Sequence, residues 1–374
     1  MWYGNGRLFT PAGFVPGAFE VENGRFRAVV TEPEARAWDV DLEGARVIPG
    51  LVDIHTHGNS GADFSDGDGE GLARMARYLA ANGVTAFAPT SMTLPYERLS
   101  AAFATARALY EHRPTGCARV AGIHMEGPFF SEKKKGAQNG AWLKAPDIEA
   151  FEALQRGCGG LVRIVDVAPE LPGAAAFIAR AKAQCRVSLA HTDADYADAG
   201  AAFEAGADHV THLFNAMPPI HHRKPGVIGA ASEREGVKAE LICDGYHVHP
   251  SSVRMAFKLF PGRICLISDA LRCCGMPQGA YELGGQQVFL QEGVARLADG
   301  TIAGAATHLY QGMLNAIRFG VPATEAVLSA TRRPAEAIGA AGALGAIEPG
   351  KLADFVVCGE DLERIAVWLG GERV

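Results

Sequence analysis

Between residues 46 and 268 the chain alternates between two kinds of segment with a regularity that few folds can accommodate. Apolar runs of strand length fall at 46–54, 84–90, 119–125, 161–168, 186–190, 209–213, 237–243 and 263–268. Between them lie stretches with the apolar spacing of helices, among them 72–79, 101–110, 174–183 and 251–260. Strands joined through helices run parallel, because the helical crossover carries the chain back to start again at the same edge. Eight such repeats predict a closed (β/α)8 barrel of the TIM type. An open doubly wound sheet competes with it, but no Gly-x-Gly-x-x-Gly follows any of these strands.

The two ends of the chain read differently. Residues 1–48 carry short alternating segments, Arg7-Leu-Phe9 and Phe26-Arg-Ala-Val-Val30, with Gly and Pro between them. Residues 345–357 form a turn followed by an apolar strand. Neither end can hold a core alone. Pairing them predicts a small β-sandwich made from 1–48 and 335–374, with the barrel at 49–334 inserted between its halves.

A parallel barrel places its chemistry at the C-terminal ends of its strands. Here the first strand ends in His55 and His57, whose two-residue spacing on a strand aims both rings to one side. The third ends in Glu126, the fifth in His191, the sixth around His212, the seventh in Asp244 with His247 just after, and the eighth in Asp269. Residues able to bind metal thus recur at the same end of six of the eight strands. Imidazoles and a carboxylate without cysteine suit Zn²⁺ best, with Fe²⁺, Mn²⁺ or Co²⁺ also compatible. Because Glu126 can bridge two cations ~3.5–4 Å apart, the pattern fits one or two ions. Hydrolysis at such a centre also needs a proton shuttle, and Asp269 is placed for it; its other reading is an N-cap or a partner for a ligand histidine.

Other polar residues receive weaker readings. His124 shares a strand face with Glu126 and reads as a hydrogen-bonded core histidine before a ligand. His221 and His222 fall in a loop, and Lys133-Lys-Lys135 is a solvated face that adds positive potential near an anionic substrate. Cys273 and Cys274 read as ordinary buried or loop thiols, and His112, His209, His249 and His308 carry no assigned role. A net charge of −7 leaves no basic footprint for nucleic acid. No apolar run approaches the ~20 residues needed to span a bilayer. The opening Met-Trp-Tyr-Gly-Asn-Gly-Arg lacks the layout of a signal peptide, and eight scattered cysteines suggest reduced thiols in a cytoplasmic protein.

Longer motifs add to this reading. They are Pro49-Gly-Leu-Val-Asp-Ile-His-Thr-His-Gly58, His124-Met-Glu-Gly-Pro-Phe-Phe130 with Lys135-Gly136, and Thr211-His-Leu-Phe-Asn-Ala-Met-Pro218. Asp244-Gly-Tyr-His247, Ser268-Asp-Ala270, Ile302-Ala-Gly304 and Ile347-Glu-Pro-Gly-Lys-Leu-Ala-Asp354 complete the set. Together they resemble the amidohydrolase superfamily and, within it, the N-acetylglucosamine-6-phosphate deacetylase family, over nearly the whole chain. The resemblance implies hydrolysis of the acetamide of an amino-sugar phosphate to acetate and the free amine. It implies Glu126, His191 and His212 as constant metal ligands, His55 and His57 as ligands of a second ion, and Asp269 as acid/base. Ala137, Gln138, Asn215, Ala216, Ile302, Ala303 and Gly304 would hold the sugar. His247 and Arg223 would grip the phosphate, the arginine reaching from the neighbouring subunit of a homodimer.

Two departures stand out: Gln138 replaces a histidine common in relatives, and Ala305-Ala306 stands where small hydroxyl residues are common. An amide can hydrogen-bond a substrate oxygen but cannot carry charge. N-acetylgalactosamine 6-phosphate is a competing substrate. A cyclic-amide hydrolase of the same superfamily fits less well, since the bridging lysine common there is missing from Val162-Arg-Ile-Val-Asp-Val-Ala168. A non-catalytic sugar-phosphate sensor would have lost the acid/base or a ligand, and this chain keeps them all.

Overall fold

A computed structural model describes residues 1–34 and 37–374. The barrel strands are β1 (Leu51–Thr56), β2 (Val84–Ser91), β3 (Ile123–Met125), β4 (Val162–Val167), β5 (Arg186–Leu189), β6 (His209–Val210), β7 (Lys238–Ile242) and β8 (Ile264–Ile267). Each strand pairs parallel with the next from β1 through β8. Between them run α1 (Gly69–Ala81), α2 (Tyr96–Glu111), α3 (Ile148–Gly157), α4 (Ala174–Ala181), α5 (Tyr196–Ala205), α6 (Gly226–Ser232) and α7 (Pro250–Leu259). Helix α1 illustrates the local logic: the Asp68 carboxylate accepts from the Glu70 N–H at 3.0 Å to cap it, and Leu72, Met75, Ala76 and Leu79 form its buried stripe. The predicted (β/α)8 barrel is present.

The first apolar run, read as one strand over 46–54, is split at Gly50 between two sheets. Arg46–Pro49 pairs antiparallel with Phe355–Cys358, whereas β1 enters the barrel. Gly50 N–H donates to Asp354 O at 2.9 Å and Leu51 N–H to Gly83 O at 3.0 Å, marking the handover. A Cβ at Gly50 would stand 2.1 Å from Thr85 Oγ1, so only glycine lets the chain pass. The third run, 119–125, likewise divides into Arg119–Val120 and β3. The sixth keeps only His209–Val210 as strand, because the chain turns sharply after Thr211.

Closure between β8 and β1 rests on individual hydrogen bonds. Asp269 N–H donates to His55 O at 2.9 Å, and His57 and Gly58 N–H both donate to Ala270 O at 2.9 and 2.8 Å. Ser268 Oγ–H donates to Asp53 Oδ2 at 2.6 Å, and Ser268 N–H to Asp53 Oδ1 at 3.3 Å. Burial pushes the Asp53 carboxyl up to about 6 against the pull of the Ser268 hydrogen bonds. The opposite end of the barrel is capped by Arg332–Ala337 and the turn after it. Ala335, Ile338 and Leu344 pack with Val52, Ile164 and Cys265, while Arg186 donates to Ala337 O and Lys238 pairs with Glu336.

Both chain ends meet in one eight-stranded sheet, from Trp2–Thr10, Gly13–Glu22, Arg25–Thr31, Val40–Asp41 and Arg46–Pro49 to Phe355–Cys358, Arg364–Leu369 and Glu372–Arg373. Its core is aromatic: Tyr3 stacks on Phe19 at 5.0 Å and Phe355 on Trp368 at 4.9 Å. Arg119 grips Asp354 with two hydrogen bonds and ties this sheet to the barrel. The sequence reading missed a second antiparallel sheet, Gly279–Leu283, Gln286–Gln291, Val294–Leu297 and Ile302–Ala305, between β8 and α8 (Leu309–Arg318). Its turns at Gly284-Gly285 and Glu292-Gly293 are left-handed hairpin signals that would have revealed it. Among the described residues no helix is long and apolar enough to cross a membrane.

Removing the seam acceptor leaves buried donors unpaired. We expect Asp53→Ala to lower unfolding stability by about 2–4 kcal/mol and Ser268→Ala by about 1–2 kcal/mol. Denaturant midpoints at constant slope measure both, and unchanged midpoints would show that the seam is held otherwise.

Candidate metal centre and active site

One backbone device recurs at the barrel mouth. Strands β5, β6 and β8 end at Leu189, Val210 and Ile267, and two residues beyond each end stand His191, His212 and Asp269. All three have left-handed backbones, with φ of 44°, 30° and 50°. This conformation costs an L-residue about 1–2 kcal/mol. It reverses the chain abruptly, and the side chains converge over the barrel axis. Glu126 follows β3 directly, and Gly127 after it (φ 91°) passes so close to the loop after β2 that a Cβ would lie 2.2 Å from Thr93 Oγ1.

Glu126 stands at the centre. Its Oε1 lies 3.3 Å from His191 Nε2, 3.1 Å from His212 Nε2 and 3.5 Å from His55 Nε2, and its Oε2 is 3.4 Å from His57 Nε2. Asp269 Oδ1 is 3.2 Å from His57 Nε2 and 3.5 Å from His55 Nε2. All six groups are buried. Two sets, Glu126–His191–His212 and His55–His57–Glu126, each gather three donor atoms within 4.8 Å. Asp269 is therefore no N-cap; it faces the histidines.

The outer ring nitrogens show what the inner ones are for. His55 Nδ1 meets Glu240 Oε2 at 2.9 Å, His57 Nδ1 meets Thr90 O at 3.1 Å, and His191 Nδ1 meets Lys134 O at 2.9 Å. A neutral ring that donates from Nδ1 has a bare lone pair on Nε2. Nε2 of His55 faces that of His57 at 3.3 Å, and Nε2 of His191 faces at 3.2 Å that of His212, whose own Nδ1 makes no hydrogen bond among the described residues. Opposed lone pairs at that distance repel unless positive charge lies between them. The electrostatics of the buried groups point the same way. Burial pushes the His57 imidazole down, but Asp269 and Glu126 outweigh it and hold it up at about 9. His212 is held at about 9 by Glu126 against the same burial. Burial pushes Glu126 up, yet the His55, His191 and His212 rings hold it well below the usual carboxylate range. The donor set demands cations, and its chemistry fits a divalent metal.

The pocket above this centre is a cavity of about 210 Å³ that opens at the barrel mouth. His57, Glu126, His191, His212 and Asp269 form its floor. Of the residues expected to hold substrate, Ala137, Gln138, Asn215, Ala216, His247, Ile302 and Gly304 line it. Ala303 is buried and absent from the lining, as strand alternation dictates. Arg223 is not brought in: it sits on an exposed turn with His221 and His222, its guanidinium 2.8 Å from His222 Nε2. The Gln138 amide spans Thr93 N–H, at 2.8 Å from Oε1, and Glu126 Oε2, at 2.5 Å from Nε2. His124 is the core histidine expected, bonded to Ile54 O and Asp166.

Sequence reasoning overlooked Glu240 and the apolar wall of Met92, Leu271 and Leu283. A lone acid inside the buried strand Lys-Ala-Glu-Leu-Ile was the available signal for Glu240.

A parallel barrel with histidines and a carboxylate gathered at its C-terminal mouth defines the class of metal-dependent barrel hydrolases. The model of the amidohydrolase family matches residues 46–374, and the chain belongs to that family. It is 37% identical over 356 residues to the N-acetylglucosamine-6-phosphate deacetylase of Vibrio furnissii, covering 94% of this chain and 89% of that protein. It is 35% identical over 326 residues to the N-acetylgalactosamine-6-phosphate deacetylase of Escherichia coli, covering 87% and 86%. Among solved structures, a mutant N-acetyl-D-glucosamine-6-phosphate deacetylase of Mycobacterium smegmatis in complex with N-acetyl-D-glucosamine-6-phosphate superposes with a TM-score of 0.93 at 34% identity, covering 100% of this chain and 98% of that one.

To hold a metal the His57 and His212 imidazoles would have to be neutral, so metal would compete with protons there. Both rings are protonated below about 9, so binding at pH 7 releases protons and tightens as pH rises toward 9. Calorimetric titration with Zn²⁺ in buffers of different ionisation enthalpy measures the release; proton-free binding would contradict this electrostatic account.

Proposed function

We propose that this chain hydrolyses the acetamide of N-acetylglucosamine 6-phosphate to glucosamine 6-phosphate and acetate. The observation that carries the reading is the Asp269 carboxylate standing beside the convergent Glu126–histidine set on the floor of one pocket. The high identity to deacetylases along nearly the whole chain supports the substrate. The galactosamine epimer is the second reading, favoured by the likeness to the Escherichia coli enzyme.

Glu126, His191 and His212 would hold a divalent cation, with His55 and His57 offering a second position, and such an ion would supply the Lewis acidity that acidifies water and polarises an amide carbonyl. Zinc suits the nitrogen-rich donor set best. Asp269 does the proton work. Burial pushes its carboxyl up, but the His55 and His57 rings prevail and hold it low, so it is ionised and ready to accept. It takes a proton from the attacking water as the new C–O bond forms, then gives that proton to the amide nitrogen as the C–N bond breaks. The acetyl group leaves as acetate and the sugar keeps its amine.

Asn215, Ala216 and Ala137 line the pocket and would contact the sugar. His247 receives the phosphate: Asp244 Oδ2 holds its Nδ1 at 2.7 Å, which leaves Nε2 for the anion. The second phosphate ligand is Arg223 of a neighbouring copy, which makes the working unit a homodimer. Eight unpaired cysteines support a reducing, cytoplasmic setting.

Purified protein supplied with N-acetylglucosamine 6-phosphate should release acetate and a primary amine in equal amounts, and metal stripped by a chelator should abolish both. Asp269→Asn should lower kcat by about 10²–10⁴-fold while metal content stays unchanged. Full turnover by that variant would refute the assigned role.

A further inference from the structure

Beneath the site lies a second layer of buried polar groups that the proposed reaction does not use. Its hub is Glu240 on β7, wholly buried. Glu240 Oε2 lies 2.9 Å from His55 Nδ1 and also accepts from the His212 backbone N–H at 3.4 Å. Glu240 Oε1 lies 3.2 Å from His209 Nε2 and 3.7 Å from His124 Nδ1. One carboxylate thus touches the side chain of one proposed ligand and the backbone of another, from the side away from the pocket.

We infer that Glu240 is a positioning residue: by accepting the Nδ1 proton of His55 it fixes that ring's tautomer and rotation so that Nε2 faces Glu126 and Asp269. The inference rests on the reading that His55 and His57 hold a second cation. The comparison among the rings supports it. His57 and His191 give their Nδ1 protons to backbone carbonyls, fixed by the fold whatever the side chains are. The Nδ1 partner of His55 is a carboxylate supplied by a strand on the far side of the sequence, 185 residues away. A carboxylate also makes the ring a stronger donor to metal than a carbonyl does. The 2.9 Å separation of His55 Nδ1 and Glu240 Oε2 is that of a direct hydrogen bond.

The test is metal stoichiometry. Wild-type protein stripped with a chelator and titrated with Zn²⁺ should show two classes of site, and His55→Gln should lose one. Glu240→Ala should weaken that same class by about 10–100-fold and leave the other within about twofold. Glu240→Gln, which keeps a carbonyl acceptor, should fall between wild type and Glu240→Ala. Glu240→Ala added to His55→Gln should cost no further metal. Both classes intact in Glu240→Ala, or both weakened equally, would overturn the inference. If His55→Gln itself loses no class, the underlying two-cation reading fails; if it does and Glu240→Ala does not, this inference alone fails. Should Glu240→Ala not fold, ¹⁵N spectra of histidine-labelled wild type decide: a slowly exchanging proton on His55 Nδ1 is expected, and an Nδ1 without a proton would overturn it.

Discussion

Four imidazole Nε2 atoms and two carboxylates crowd the mouth of this barrel, with nitrogen–nitrogen approaches of 3.2 and 3.3 Å. Burial removes the water that would otherwise screen them. Such an arrangement is stable only with positive charge inside it, carried by protons when metal is absent and by a divalent ion when it is present. The raised His57 and His212 imidazoles and the lowered Glu126 carboxyl are three views of that one demand.

The scaffold meets the cost in rigid elements. His191, His212 and Asp269 each occupy a left-handed turn two residues beyond a strand end, and the ladder behind them fixes where those turns fall. The seam between β8 and β1 matters for the same reason, because Asp53 stands two residues before His55 and Ser268 directly before Asp269. What closes the barrel also sets the distance between Asp269 and the histidines beside it.

The fold was legible because parallel strands buried on both faces leave long apolar runs, and the convergence of Glu126 with the histidines was legible because these residues stand at strand ends. What stayed hidden has physical causes. Gly50 divides an apolar run between two sheets, and hydropathy does not register a handover made by one residue's missing side chain. The sheet over 279–305 is short and half-exposed, so its alternation is faint beside that of the barrel. Gln138 was expected to face the sugar. It lines the pocket, but its amide is spent on Glu126 and Thr93, a commitment that depends on tertiary contacts across 12 and 45 residues. Arg223 illustrates the converse: one chain does not carry it to the pocket, so its proposed role requires a second copy.

The central claim is that this mouth exists to hold a divalent cation against Glu126, His191 and His212. Anomalous scattering at the zinc edge from crystals of zinc-loaded protein tests it directly. The account requires a peak about 2.0–2.2 Å from a Glu126 oxygen and from Nε2 of both histidines. A zinc-loaded crystal with no peak there, or with its strongest peak bound elsewhere on the chain, would contradict it.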